Sequence, residues 1–211
     1  MEKLIKKIII KTRLEVLTGL HVGGSSDNVQ IGGIDNPVIK IATKKNQPYI
    51  PGSSLKGKMR CLLEQVAGAT KVGNDENVNN LFGFSNANKI SKLIVRDAHL
   101  SEESVKLLES CDSLDMPYTE SKSENVIDRV KGTAEHPRQI ERVPAGVSFE
   151  VEFVINVWNT DTESDFKAML EKGIRLIEND YIGGSGSRGY GQVKFGTLNY
   201  TELSEDNNWG K

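Results

Sequence analysis

Apolar and polar residues alternate along two stretches of the chain, at residues 7–17 and 149–157. In both, every second side chain is apolar or Thr, and most of the side chains between them are charged or polar. A period of two is typical of a strand with one face in the core. A short apolar segment at 93–97 and the stretch after the glycine-rich loop, at about 191–200, predict two more strands. The chain therefore contains at least four predicted strands.

Two other stretches have apolar residues at helical spacing. Leu55, Met59 and Leu63 lie on one face of a predicted helix over about 53–67, where Ser53 and Ser54 are possible N-caps. An apolar stripe between residues 166 and 177 predicts a second helix. The order strand-helix-strand occurs twice, which indicates an α+β, ferredoxin-like (RRM-like) βαββαβ fold. We expect a single domain over residues 1–211, with insertions at about 19–48 and 98–146.

The composition fits one soluble domain with its own core. The 211 residues are 37% hydrophobic and 27% charged. The longest apolar run, at 8–10, is far shorter than the roughly 20 residues that span a membrane, and the first residues have no signal-peptide pattern. A cytoplasmic protein without membrane contact is the expectation.

The net charge of -2 hides a segregation of charge along the chain. Residues 36–63 hold six cations and no acid, whereas residues 97–128 hold nine acids against Lys106 and Lys122. Solvated faces of a soluble domain would explain this, and so would one basic and one acidic surface. The net charge excludes only a protein that coats nucleic acid with a generally basic surface.

Residues 52–59 nearly match the P-loop pattern G-x-x-x-x-G-K-[ST]. Met59 replaces the hydroxyl residue that would hold Mg²⁺, so nucleotide hydrolysis is excluded here. What is left is a helix N-terminus with hydroxyl and basic neighbours, which is a phosphate-binding arrangement. The residues concerned are Ser53, Ser54, Lys56, Lys58 and Arg60. A plain amphipathic helix explains the same residues equally well.

Residues 183–191 contain five glycines and a G-x-G-x-x-G match at Gly184, Gly186 and Gly189. A dinucleotide fingerprint needs strand, loop and then helix, but here a helix precedes the loop and a strand follows it. We interpret the loop as one whose bare N–H groups approach phosphates, with Arg188 adding charge. A flexible connection is the alternative.

Two further segments carry candidate residues. The first insertion contains His21, Asp27 and Asp35, and an Asp before Asn-Pro is usually a turn former. Residues 125–146 mix cations with apolar residues, as either a polyanion-binding arm or a structural hairpin would; the cations are Arg129, Lys131, Arg138 and Arg142. The three histidines and two cysteines show no zinc spacing.

Together these segments resemble the RAMP superfamily of CRISPR-associated proteins, and within it the repeated backbone subunits of type III-A (Csm) effector complexes. The resemblance covers nearly the whole chain. It is carried by residues 20–24, 33–37, 49–60, 127–130, 183–191 and 138–146, the last reading Arg-Gln-Ile-Glu-Arg-Val-Pro-Ala-Gly. The glycine-rich loop alone is common among such proteins, and the combination is more specific.

The resemblance implies a filament of identical subunits along a guide RNA, together with other type III subunits. It implies a thumb at about 125–142 and cleavage of complementary target RNA at regular intervals with Mg²⁺ or another divalent metal. Asp35 matches the catalytic aspartate and His21 a histidine linked to RNA contact. Asp35 would act as base or as metal ligand. The acidic segment 97–128 has no place in this mechanism, and subunit contacts are one use for it.

Three alternatives stay open at this point. In the first, the chain is a scaffold that binds guide RNA and does not cleave target RNA. Replacing Asp35 distinguishes this scaffold from a nuclease. A backbone subunit of another type III subtype would share the chemistry but not the partners. A guide-processing nuclease fits less well, because such enzymes usually use two tandem ferredoxin-like domains.

Overall fold

An antiparallel sheet of eight strands forms the body of the protein. A computed structural model describes residues 3–24, 34 and 36–210, with His136 described by its backbone alone. The strands are β1 (Leu4–Val16), β2 (Lys40–Ile41), β3 (Gln47–Ile50), β4 (Leu93–Val95), β5 (Ala98–Leu100), β8 (Ser148–Trp158), β9 (Val193–Phe195) and β10 (Asn199–Ser204). Their order is β10-β1-β8-β5-β3-β2, with β4 also paired to β8 and β9 to β1.

The sheet is built around the two long strands that the alternating pattern predicted. β1 and β8 pair antiparallel from Leu4 and Trp158 to Glu15 and Ser148. On β1 the side chains of Ile8, Ile10 and Leu14 are fully buried, so the predicted strands at 7–17 and 149–157 are confirmed. The strand predicted at 93–97 is confirmed as the shorter β4. The one predicted at 191–200 is two short strands, β9 and β10.

Helices α1 (Gly52–Val66) and α4 (Glu163–Glu178) confirm the two helical stripes. Their apolar faces belong to the same core, and they approach closely at Gly173, where an added Cβ would stand 2.4 Å from Cγ of Met59. Two shorter helices, α2 (Glu76–Phe82) and α3 (Glu102–Glu109), were not predicted. Their N-caps are Asp75 and Ser101, whose side chains accept from the N–H groups of Val78 and Ser104.

The predicted N-cap of α1 is wrong. The helix begins at Gly52, one residue before Ser53, and the Asp97 carboxylate accepts the Gly52 N–H at 2.8 Å. A side chain at position 52 could not be accommodated, because a Cβ there would stand 2.1 Å from the carbonyl oxygen of Val95. A residue far away in sequence therefore satisfies the first N–H of this helix.

A separate two-stranded sheet lies between β5 and β8. It belongs to the predicted insertion at 98–146, whose first residues, Ala98–Leu100, form β5 of the main sheet instead. The separate sheet consists of β6 (Glu120–Ile127) and β7 (Ala134–Arg142), which pair antiparallel. The Asp128 carboxylate closes the turn by accepting the N–H groups of Val130 at 2.8 Å and Lys131 at 3.1 Å. The segment 125–142, predicted to be a thumb, falls within this β6–β7 hairpin.

Candidate nucleic-acid interface

One residue of β7, Glu141, joins the hairpin to the first insertion. Its side chain is 2% exposed, and its carboxylate accepts from the Val38 N–H at 2.9 Å and from the Thr119 hydroxyl at 2.5 Å. The ammonium of Lys40 is paired with the same carboxylate. The backbone N–H of Glu141 donates to the carbonyl of Asn36 at 3.0 Å. Glu141 therefore fixes the chain on the C-terminal side of the Asp35 position.

The N-terminal side of the same loop is held in a similar way. Gly24 N–H donates to the carbonyl of Pro37 at 3.0 Å, and Ile39 N–H donates to the carbonyl of Val22 at 2.9 Å. The two ends of the loop are thus bonded to each other. Asp35 and Asp27 lie outside the described residues.

His21 connects this junction to the glycine-rich loop. Its Nδ1 lies 2.7 Å from the carbonyl oxygen of Glu141. A carbonyl only accepts, so Nδ1 carries the proton and Nε2 is left for another partner. The carbonyl of His21 accepts the Gly184 N–H at 2.8 Å. Three segments that the sequence singled out, at 20–24, 138–146 and 183–191, therefore meet at His21.

Packing explains several glycines of the loop. A Cβ at Gly183 would stand 2.1 Å from the His21 carbonyl oxygen, and one at Gly186 would stand 2.0 Å from the ring of Tyr181. Gly184 has already donated its N–H to His21. Gly189 and Gly191 donate their N–H groups to the carbonyls of Gly186 and Gly19, so the expectation of bare N–H groups does not hold at these three glycines.

Four cations surround a cleft of about 610 Å³ between the hairpin and the glycine-rich loop. We call this group the cationic cleft: Lys122, Arg129, Arg138 and Arg188. Three of its members were predicted from two distant segments: Arg129 and Arg138 from 125–146, and Arg188 from the glycine-rich loop. The structure brings them together and adds Lys122 from β6. Lys131 does not line the cleft; its ammonium lies 3.4 Å from Asp128 and 3.9 Å from Glu135.

Glu124 lies within the cationic cleft and is its only acidic lining residue in the described part of the chain. Its carboxylate accepts from Nη1 of Arg188 at 2.6 Å and from the hydroxyl of Tyr190 at 2.8 Å. Arg138 and Lys122 approach it at 3.7 and 3.8 Å. The hydrogen bond from Tyr190, together with Arg188, lowers the pKa of Glu124 despite its desolvation. The carboxylate is therefore ionised at neutral pH.

Tyr190 anchors the hairpin on the body of the protein. Its side chain is buried, and the nitrogen of Lys122 lies 4.4 Å from the centre of its ring. The guanidinium carbon of Arg142 lies 5.2 Å from the same ring centre. Burial, followed by the hydrogen bond to Glu124, raises the pKa of Tyr190 to about 12. Sequence reasoning placed Tyr190 in the loop without giving it a role.

The basic residues of α1 have partners inside the protein. Lys56 donates to the Ser91 hydroxyl at 2.5 Å and to the Leu93 carbonyl at 2.8 Å, and its burial lowers its pKa. Arg60 donates to Glu64, Asn79 and the carbonyl of Gly83. These two cations hold α1 to its neighbours. Their predicted role in RNA binding stays a prediction, and these contacts favour a structural role instead.

Lys58 differs from Lys56 and Arg60 in its position. Its ammonium lies 2.7 Å from the Asp180 carboxylate and 3.7 Å from the centre of the Tyr181 ring. Since that ring also packs on Gly186, Lys58 stands beside the glycine-rich loop. Ser53 is exposed and Ser54 half-buried at the start of α1.

The acidic segment 97–128 is used largely within the chain. Seven of its nine acids accept hydrogen bonds from other residues of the chain: Asp97, Glu103, Glu109, Asp115, Glu120, Glu124 and Asp128. Glu103, for example, accepts from Arg13, and Glu109 from Lys45 and Tyr118. The segment balances cations from other parts of the chain.

Two kinds of feature are absent from the part of the chain that the structure describes. Within residues 3–24, 34 and 36–210, no group of three or more His, Cys, Asp or Glu side chains could hold a metal ion. No helix of that part is long and apolar enough to cross a membrane.

The chain is similar in sequence to several proteins that carry the same name. The chain is 44% identical over 207 residues to the CRISPR system Cms endoribonuclease Csm3 of Streptococcus thermophilus, covering 93% of this chain and 90% of that one. It is 43% identical to the protein of the same name from Enterococcus italicus (90% and 89% covered) and 41% to that from Methanocaldococcus jannaschii (90% and 78%).

Solved structures and family models lead to the same group. The crystal structure of a Csm3–Csm4 subcomplex from the type III-A CRISPR-Cas interference complex matches with a TM-score of 0.64 and 29% identity, over 99% of this chain and 86% of that one. A type III-B Cmr-beta structure shares the fold, at a TM-score of 0.65 and 16% identity, over 92% of this chain and 61% of that one. The family model described as RAMP superfamily matches residues 13–194. The chain belongs to the RAMP superfamily.

Proposed function

We propose that this chain is the repeated backbone subunit of a type III CRISPR ribonucleoprotein, which binds guide RNA and cleaves complementary target RNA. The observation that carries the proposal is the similarity, at 41–44% identity over at least 90% of the chain, to three proteins named CRISPR endoribonucleases. The similarity to a Csm3–Csm4 subcomplex supports other type III subunits as partners. Further copies of the chain along the guide are part of the proposal.

The ferredoxin-like body and the thumb belong to this proposal. Four strand positions in the order β9/β10, β1, β8 and β4/β5, with α1 and α4 packed in the same core, match a ferredoxin-like βαββαβ arrangement. We assign the β6–β7 hairpin to the thumb. At its outer end Ile127 and Val130 are exposed to 64% and 95%, so the tip offers apolar surface to whatever it contacts.

The cationic cleft supports binding to the RNA backbone. Base pairing with the guide reads the sequence, so the protein needs contacts with phosphates but not with base edges. Arg129, Arg138 and Arg188 supply guanidinium groups, which suit phosphate oxygens. We assign these three residues and Lys122 to RNA contact, with His21 and Lys58 beside the glycine-rich loop. We also assign Ser53 and Ser54, at the start of α1, to RNA contact.

Asp35 is the proposed catalytic residue. The next residue, Asn36, accepts the Glu141 N–H of β7, and the described residues on either side of the segment that carries Asp35 are hydrogen-bonded to each other. These contacts support the assignment, because they hold the described flank next to Asp35 against the hairpin. Attack of a ribose 2′-hydroxyl on the adjacent phosphate needs a base, and a carboxylate can serve as one. The hairpin would distort the RNA so that this attack is in line.

A divalent metal ion is part of the proposal only in a limited form. The described residues offer no preformed cluster of ligands. Mg²⁺ is commonly held by one or two carboxylates together with substrate phosphates and water. Asp35 with the RNA would be such a set, and the ion would stabilise charge on the phosphate.

The assay is a denaturing gel of complementary RNA incubated with the assembled complex, its guide and Mg²⁺. We expect evenly spaced products with the unchanged protein and none with Asp35→Ala, at equal RNA binding. Cutting that survives Asp35→Ala would refute the catalytic assignment. No cutting by either protein, with binding intact, would indicate a guide-binding scaffold instead.

A further inference from the structure

Glu124 is a carboxylate placed where a phosphate would bind. The lining of the cationic cleft carries four cations and Glu124, so its formal charge is +4 - 1 = +3. The Glu124 side chain is 13% exposed, while that of Arg188 is 51% exposed. One guanidinium nitrogen of Arg188 is bound to Glu124, and the guanidinium has further donors for a second anion.

The contacts of Glu124 do more than close the hairpin. A structural tie to the body would need the Tyr190 hydroxyl alone, yet the carboxylate is also within 4 Å of Lys122, Arg138 and Arg188. It thus lowers the positive potential at three of the four phosphate-binding groups. Because a backbone contact cannot distinguish sequences, every cation in the cleft also attracts RNA that does not pair with the guide.

We propose that Glu124 is a specificity-determining counter-anion, which weakens the binding of non-complementary RNA in the cationic cleft. This inference rests on the proposed function. Complementary RNA is held mainly by its base pairs with the guide, so it loses little from the repulsion. Non-complementary RNA depends on the cations alone and loses a larger share of its affinity.

The test uses Glu124→Gln in the full chain, which removes the charge and keeps the size of the side chain. The probe is single-stranded oligouridylate, and its affinity is measured over a series of salt concentrations. We expect Glu124→Gln to bind about three- to tenfold more tightly near 0.1 M salt, from the loss of one like charge a few ångströms from a phosphate. The slope of log affinity against log salt should steepen by up to about 0.7.

Two control variants separate the causes. Glu202→Gln changes the net charge equally, but Glu202 pairs with Lys6 and Lys167, which do not line the cleft. Tyr190→Phe removes the hydroxyl contact and leaves the Glu124 charge. We expect Glu202→Gln to bind oligouridylate as the unchanged protein does, and Tyr190→Phe to bind it no more tightly than the unchanged protein, because the Glu124 charge remains. Thermal unfolding of each variant checks that it is folded.

The outcomes are distinct. Equal gains from Glu124→Gln and Glu202→Gln would reduce the effect to net charge and overturn the proposal. Unchanged or weaker binding by Glu124→Gln, while Arg138→Ala weakens binding, would overturn it and leave the cleft as an RNA site. If neither Arg138→Ala nor Arg188→Ala changes affinity, the cleft does not bind RNA, and both this inference and that assignment fail. The cleavage test with Asp35→Ala is independent of all three.

Discussion

Replacing the buried carboxylate of Glu141 should destabilise the protein much more than replacing a neighbouring surface carboxylate. Three donors converge on it: the Val38 N–H, the Thr119 hydroxyl and the Lys40 ammonium. In Glu141→Gln one oxygen becomes an NH₂ group, which cannot accept, so at least one buried donor loses its partner. That costs about 1–3 kcal/mol, and the loss of a charge-assisted bond adds about 1 kcal/mol.

The expected loss in the free energy of unfolding is therefore about 2–4 kcal/mol. The Lys40 side chain is 27% exposed and can turn to water, which keeps the cost below that of a fully buried broken pair. For a chain of this length, 1 kcal/mol lowers the melting temperature by roughly 3 °C. Glu141→Gln should then melt roughly 6–12 °C below the unchanged protein.

Glu120→Gln is the matched control. Glu120 accepts from Nε of Arg142 at 2.6 Å, but the two side chains are 31% and 24% exposed, so the change should cost less than about 1 kcal/mol. Hydrogen exchange adds a local readout, because the Val38 amide should exchange faster in Glu141→Gln only. If Glu141→Gln and Glu120→Gln melt within about 2 °C of each other with Val38 equally protected, Glu141 does not hold the junction.

Three further predictions follow from contacts of the described residues. Neutralising Arg129, Arg138 and Arg188 together should reduce the slope of log affinity for single-stranded RNA against log salt by about 0.7 per lost phosphate contact. Lys56→Ala should lower the melting temperature and leave that slope unchanged. Equal slopes for the two variants would refute the assignment. Gly186→Ala should lower the free energy of unfolding in urea by at least about 1–3 kcal/mol, since its Cβ would meet the Tyr181 ring. Gly57→Ala, on an open helix surface, should raise it by about 0.5–1 kcal/mol. A neutral Gly186→Ala would contradict the packing. Tyr190 has its pKa raised from 10.0 to about 12, so the folded state keeps a proton that the unfolded state has lost, and stability should fall between about pH 10 and 12 by up to roughly 2–3 kcal/mol. Tyr190→Phe should show a smaller fall over the same range, and an identical fall would show that Tyr190 does not titrate in this way.

The parts of the fold that the sequence predicted are those with a long, regular pattern. β1, β8, α1 and α4 each bury one face through many residues, so periodicity reveals them. α2 has seven residues and α3 has eight, which is too short for a stripe to stand out from the surrounding loops. The last strand was predicted as one because its two pieces, β9 and β10, are both short and only residues 196–198 separate them in the sequence.

Single residues of the site were predictable from composition and resemblance, but their partners were not. Lys122 and Glu124 are two residues apart in β6, so both charged side chains lie on the same face of the strand. The sequence contains no sign that this face meets Arg188 and Tyr190, which come more than 60 residues later. The hydrogen-bond partners of Lys56 and Arg60 outside α1 are also distant in the sequence. Local patterns report which side chains share a face, and only tertiary structure reports what that face contacts.

The hairpin depends on the same charges that would bind RNA. A two-stranded sheet alone is marginally stable in water, so this one needs support beyond its own ladder. On one face, Glu120 is opposite Arg142 and Glu124 is opposite Arg138, and each pair is an ion pair. Tyr190 contacts both pairs, because its ring packs against Arg142 and its hydroxyl donates to Glu124. A phosphate that takes Arg138 or Arg188 from Glu124 therefore also draws on an ion pair that orders the hairpin. It follows that substitutions in the cationic cleft must be measured for both affinity and stability, because a weakened hairpin and a lost phosphate contact both reduce RNA binding, but only the lost contact changes its salt slope.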